Sequence, residues 1–212
     1  MSRSATLDRK MHIHKETPMD FYKLMTEART CRRYEAREFE PGMLRWLVDC
    51  ARIMPCTANA QVLRYLIVQN PLKRPGIFDA LGWAAYFKTW KPEEKERPAG
   101  YIVLLAQPGE DGKIPNNTYI DLGIAGQTIQ LAAWTRGVGS CMFRNYNPKK
   151  IGEVIDIPSG YEIALVMAFG YPLEERRIVP VPADGSIRYY RDDKGVHYVP
   201  KRELKDVLLG EF

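Results

Sequence analysis

Histidine is scarce in this chain of 212 residues: His12, His14 and His197 are all it has. Cysteine is nearly as sparse, and Cys31, Cys50, Cys56 and Cys141 form no C-x-x-C pair and no Cys/His spacing of the zinc type. No metal centre is therefore expected, and the thiols read as free groups in a reducing compartment. No window approaches the roughly 18 apolar residues of a membrane span. The first 18 residues carry no apolar run of the kind a signal peptide needs. These absences predict a cytoplasmic protein with an N-terminal arm over 1–18 and a single domain over 19–212. Despite a formal charge of +5 and a pI near 9.0, there is no long Lys/Arg stripe. Basic residues alternate with acids, as in "KPEEKER" and "RELKD", so no nucleic-acid partner is expected. The surplus suits a pocket for a small anion. Phosphate-binding P-loops and internal repeats are missing too. The "GVGS" run at 137–140 closes a helix and enters a strand, the reverse of a dinucleotide-binding turn.

What is present is ample core material, 45% hydrophobic and 11% aromatic. Helical spacing is expected over 19–28, over 41–54 with Pro41 at the first position, and from Pro71 through Tyr86 despite Pro75. The longest helix is expected from 117 or 121 to 136, ended by Gly137. Its small residues Gly123, Ala125, Gly126, Ala132 and Ala133 admit a close backbone, from a partner subunit or from the same chain. Asn147 and Pro148 start a short helix, and 201–209 is the last. Strands are expected in "QVLRYLIVQ", "AGYIVLLAQ", "VGSCMF" and "YEIALVMAFG", the last buried on both faces. A hairpin is expected around 193–195. Together these predict an α/β (α+β) layered domain.

Two stretches draw attention as chemistry. "PCTANAQ", residues 55–61, is a row of small hydrogen-bonding groups that contains no acid or base for neutral pH. Cys56 lacks a neighbouring base and reads as a packed small residue rather than a nucleophile. "RTCRRY", residues 29–34, reads by composition as a solvated loop, yet it lies between two helices and offers Thr30 and several arginines for bidentate contact with a phosphate. The aromatics Trp83, Tyr86, Phe87 and Trp90 are spaced for a helix core, with the option that some line a flat ligand.

The order of "RTCRRY", "PCTANAQ", "DLGIAGQTIQLAAWTRGVGSCMF" and "GYPLEE" resembles the nitroreductase family of FMN-dependent oxidoreductases, from about 19 to 207. The resemblance implies a central mixed sheet flanked by helices in a homodimer. It assigns Arg29 and Thr30 to the FMN phosphate and Arg32 to the pyrimidine edge near N1 and O2. A guanidinium there stabilises the negative charge of the reduced ring. Ala28 stands where the family usually has its first Arg. The row Pro55, Cys56, Thr57 and Asn59 matches the family's Pro-Ser-x-x-Asn flavin lining, with Cys for Ser, and such contacts are often made from the partner subunit. Phe143, Arg144 and Asn145 fall where backbone N–H groups meet flavin N5 and O4. Lys201 and Arg202 are candidates to return to the phosphate, with Arg188 and Arg191 as competitors. Trp83 and Tyr86 would shape the substrate side.

The function implied is ping-pong hydride transfer from NADH or NADPH, through flavin N5, to a small electron-poor acceptor such as a nitroaromatic or quinone. Rival readings are a flavin store or sensor without turnover, a dehalogenating or flavin-fragmenting branch of the same fold, and an anion-binding protein without flavin.

Overall fold

The computed structural model describes residues 20–84, 86–87 and 90–212; the expected arm of 1–18 lies outside them. Four strands form the central sheet: β1 (Arg64–Val68), β2 (Gly100–Ala106), β3 (Gly139–Phe143) and β4 (Glu162–Gly170), in the order β1-β2-β4-β3. All its strand pairs are antiparallel. The mixed pairing expected of the sheet appears at its margin, where Thr30 makes a parallel bridge to Ser140 of β3. It also appears in a smaller sheet, where β5 (Arg176–Pro180) runs parallel to β7 (His197–Lys201) and β6 (Tyr190–Arg191) antiparallel to it.

The apolar strands are continuous because both faces of the sheet are covered. Ile102 and Leu104 of β2 face Leu44 and Leu47 of α2 (Met43–Arg52) and Ile129 of α4 (Asn116–Trp134). Tyr101, Val103 and Leu105 face Ile77 and Phe78 of α3 (Arg74–Asp79) and Ile151 of α5 (Pro148–Val154). In β4 the alternation breaks at Ala164 and Leu165, which share one face. The register explains it: Leu104 pairs with Leu165 and Leu105 with Ile163, so Ala164 is the extra residue of a bulge.

Local chemistry accounts for most element ends. Asp20 caps α1 (Phe21–Glu27), accepting the Tyr22 N–H at 2.9 Å. Asn147 caps α5, with Pro148 in its first turn. Gly137, at φ 70°, ends α4 as its N–H returns to Trp134 O and that of Val138 to Ala133 O. The small residues of α4 mostly serve this chain: Ala125 and Ala133 are fully buried, and a Cβ on Gly126 would lie 3.0 Å from Met142 Sδ. Gly123 alone among them opens to free space.

Two expectations are corrected. The helix begun at Pro71 does not run through Tyr86. It spans six residues, because the chain turns after Ala80 to pair Leu81 with Tyr146 and Gly82 N–H with Asn145 O. The second helix starts at Met43 rather than Pro41, since Gly42 takes a left-handed φ of 85°. The expected hairpin forms, with Asp192 accepting the Lys194 and Val196 amides and Gly195 at φ 78°. β5 was not expected. The last helix, α6, is a single turn (Leu204–Val207).

Candidate functional site

The arginine-rich link is docked rather than solvated. Cys31 and Tyr34 are fully buried and face two glycines that form a register pair, Gly139 of β3 and Gly170 of β4. Their absent side chains make the room: a Cβ on Gly170 would lie 2.7 Å from Tyr34, and one on Gly139 would lie 2.8 Å from the Cys31 Cβ. Cys31 N–H donates to Ser140 O, and the Tyr34 hydroxyl donates to Cys31 O. With two side chains pointing in, Arg29, Thr30, Arg32 and Arg33 remain along a half-buried ridge beside the sheet. Burial pushes the Cys31 thiol up to about 12 and that of Cys141 to about 11, so both are protonated packing groups.

A cationic cluster forms on this ridge. Glu174, buried, accepts the Arg32 N–H at 2.7 Å and Arg191 Nη2 at 2.8 Å. Glu174, Arg32, Arg176 and Arg191 gather about buried His197, and Arg29 adjoins Arg176. The Nε of each of those arginines, Arg176 Nη1 and His197 Nδ1 are buried without a hydrogen-bond partner among the described residues. Burial, and then the neighbouring Arg176, lower the pKa of Arg29. Two guanidinia in such a setting, with donors unmet, call for an anion. Arg29 shares a cleft of about 480 Å³ with Lys201 and Arg202, so these three candidates are brought together. Arg33 is withdrawn from that role by its bidentate pair with buried Glu96, at 2.6 and 2.9 Å. Arg191 is likewise committed, to Glu174 and to the face of Trp90 at 4.1 Å. Arg188 lies over Tyr86.

The second group, Pro55, Cys56, Thr57 and Asn59, lies elsewhere in the chain. Thr57 is held from the first half of α4 by Asp121, while Gln130 in the second half of α4 donates to Ala28 O beside Arg29. Those two anchors are nine positions apart, roughly 13 Å along the helix. Pro55, Ala58 and Asn59 are exposed, and the Cys56 thiol accepts the Gln61 amide at 3.4 Å. Within one chain the two groups face different regions.

The third group follows β3. The Phe143 ring packs edge-on against Trp83 at 4.7 Å. Arg144 stacks over Tyr119 and donates to Ala164 O, the carbonyl of the bulge residue. Asn145 accepts from Gly82. Trp83 is 9% exposed, lies against Phe78 and donates its indole N–H to Phe78 O; the structure places it in the core rather than on a substrate face. Tyr86 is 46% exposed and packs on Tyr189, whose ring in turn covers the Arg32 guanidinium at 5.0 Å.

Sequence reasoning missed Glu174, Arg176, Asp121 and Tyr189. The first two carried no sequence signal: all four of Glu174, Glu175, Arg176 and Arg177 are charged, and the alternation of buried Glu174 and half-buried Arg176 with exposed Glu175 and Arg177 exists only in the fold.

A sheet covered on both faces, with a docked arginine ridge at its margin, defines a layered α+β protein. The chain belongs to the nitroreductase family, whose model matches residues 25–171. It is 24% identical over 181 residues to an NADH dehydrogenase of Thermus thermophilus, covering 69% of this chain and 84% of that one. It is also 24% identical over 156 residues to a 5,6-dimethylbenzimidazole synthase of Rhodospirillum rubrum, covering 64% and 72%. Among solved structures, an FMN-dependent nitroreductase of Clostridium difficile R20291 aligns with a TM-score of 0.57 and 25% identity, over 73% of this chain and 88% of that one. Among the described residues no helix is long and apolar enough to cross a membrane.

Proposed function

We propose that the protein is a homodimeric FMN-dependent oxidoreductase, taking hydride from NADH or NADPH and delivering it to an electron-poor acceptor such as a nitroaromatic or quinone. The observation that carries this reading is the pair Arg29 and Arg176, half-buried with buried nitrogens that meet no partner among the described residues, Arg29 lining the cleft of Lys201 and Arg202. These residues would hold the FMN phosphate, with Thr30 alongside. Arg32 would hold the pyrimidine edge. When bound, FMN supplies two-electron transfer, which needs no titrating side chain in the lining. That agrees with the composition of Pro55, Cys56, Thr57 and Asn59. Because this row sits roughly 13 Å along α4 from the Arg29 anchor, it would serve the flavin held by the second subunit. The exposed Tyr86, rather than Trp83, would meet the acceptor.

The Rhodospirillum relative named as a 5,6-dimethylbenzimidazole synthase supports a second reading, in which bound flavin is consumed. Mass analysis of the flavin after aerobic turnover separates the two: intact FMN supports hydride transfer, a fragmented ring the alternative. The proposal itself is tested by titrating flavin-free protein with FMN and with riboflavin. FMN should bind at least about tenfold tighter, as expected for charge-assisted contacts to its phosphate. Equal affinity, or none, would overturn it.

A further inference from the structure

We infer that Asp121 is a positioning residue for the flavin-lining loop, acting as its strut and fixing which way the Thr57 hydroxyl points its hydrogen. The inference rests on the loop's role under the proposed function. Asp121 is 2% exposed, and its Oδ1 accepts both the Thr57 N–H at 2.8 Å and the Thr57 hydroxyl at 3.0 Å.

The loop needs such a strut. Ala58, Asn59 and Gln61 all take left-handed φ values, 49°, 52° and 49°, which side chains other than glycine resist. Packing does not hold the loop, because Ala58, Asn59, Ala60 and Gln61 are exposed on one side. On the other, a cavity of about 310 Å³ opens between Cys56, Gln61, Tyr65 and Asp121. The two bonds to Asp121 are what tie the loop to α4.

They also decide the loop's chemistry. A carboxylate only accepts, so both Thr57 donors are spent on it. The Thr57 oxygen then offers lone pairs alone, and its ligand partner must be a donor. On FMN the available donors are the ring imide N–H and the ribityl hydroxyls.

Three variants test this: Asp121→Ala, Asp121→Asn and Thr57→Val, each read by FMN affinity and by hydrogen exchange at the Thr57 amide without flavin. Asp121→Ala should speed exchange at Thr57 and weaken FMN by about tenfold or more. Asp121→Asn keeps an acceptor at Oδ1 and should stay within about threefold of the parent. Thr57→Val leaves α4 intact, removes the hydroxyl acceptor, and should weaken FMN as Asp121→Ala does. Unchanged exchange in Asp121→Ala overturns the strut. Faster exchange with unchanged FMN affinity, or a Thr57→Val protein that binds like the parent, overturns the positioning role. A parent protein that binds no FMN overturns the proposed function, and this inference with it.

Discussion

Glu174 accepts the backbone N–H of Arg32 at 2.7 Å, and its other oxygen takes Arg191 at 2.8 Å. One buried carboxylate thus ties the arginine ridge to the C-terminal hairpin and balances part of a four-arginine cluster. Removing one partner of such a buried pair leaves charge uncompensated, which costs about 3–5 kcal/mol. Glu174→Ala should lose that much stability in urea denaturation, and Glu174→Gln, which keeps the acceptor, distinctly less. Equal stability of both variants to the parent would show that the cluster does not depend on this carboxylate.

Gly170 and Gly152 should respond to alanine in opposite directions. At Gly170 the new Cβ would meet the root of the Tyr34 side chain at 2.7 Å, and Tyr34 is fully buried with its hydroxyl bound to Cys31 O. Overpacking of this kind costs about 1–3 kcal/mol. Gly152, in α5, has open space where a Cβ would go, so Gly152→Ala should stabilise by about 0.5–1 kcal/mol. Thermal melts of the two variants decide it.

His197 makes the fold acid-sensitive. Burial, aided by Arg191, Arg32 and Arg176 and opposed by Glu174, pushes its pKa from 6.5 down to about 4. Between those values the unfolded chain binds a proton that the folded chain refuses, so stability rises with pH there. The contribution is complete above 6.5 and is lost as pH falls toward 4. His197→Asn should therefore show a shallower fall in melting temperature over that interval than the parent. Parallel curves would contradict this.

Arg176 should discriminate a phosphorylated flavin from a bare one. Arg176→Gln is expected to weaken FMN about ten- to a hundredfold while leaving riboflavin affinity unchanged. Fluorescence titration with both ligands reads the difference directly. Equal weakening for both would place Arg176 away from the phosphate.

The layered architecture was legible because buried strands and amphipathic helices carry their period in the residues themselves. β2, β3, β4 and α4 were all found, within a few residues, from apolar runs and the Gly137 stop. The Pro71 helix was overextended because what ends it is tertiary: the Leu81–Tyr146 and Gly82–Asn145 pairings, which no local pattern announces. β5 was missed because most of its residues are charged or exposed and its partner β7 lies far along the chain, pairing Arg176 with His197. At the candidate site, the 29–34 stretch reads by composition as a solvated loop, and the family resemblance is what gives it and the 55–61 row their expected roles. Their supports, Glu174 and Asp121, are single acids within ordinary-looking segments, and only the fold reveals that they are buried. Trp83 went the other way: its spacing reads as core, the resemblance places it on the substrate side, and packing between Phe78 and Phe143 keeps it in the core.

The most direct measurement is the visible spectrum of the FMN-loaded protein under anaerobic conditions, followed after one equivalent of NADH and, separately, of NADPH. The account predicts that the flavin bands bleach with at least one donor, faster than free FMN does, and recover when a quinone is added. Bound flavin that stays oxidised with both donors would contradict it.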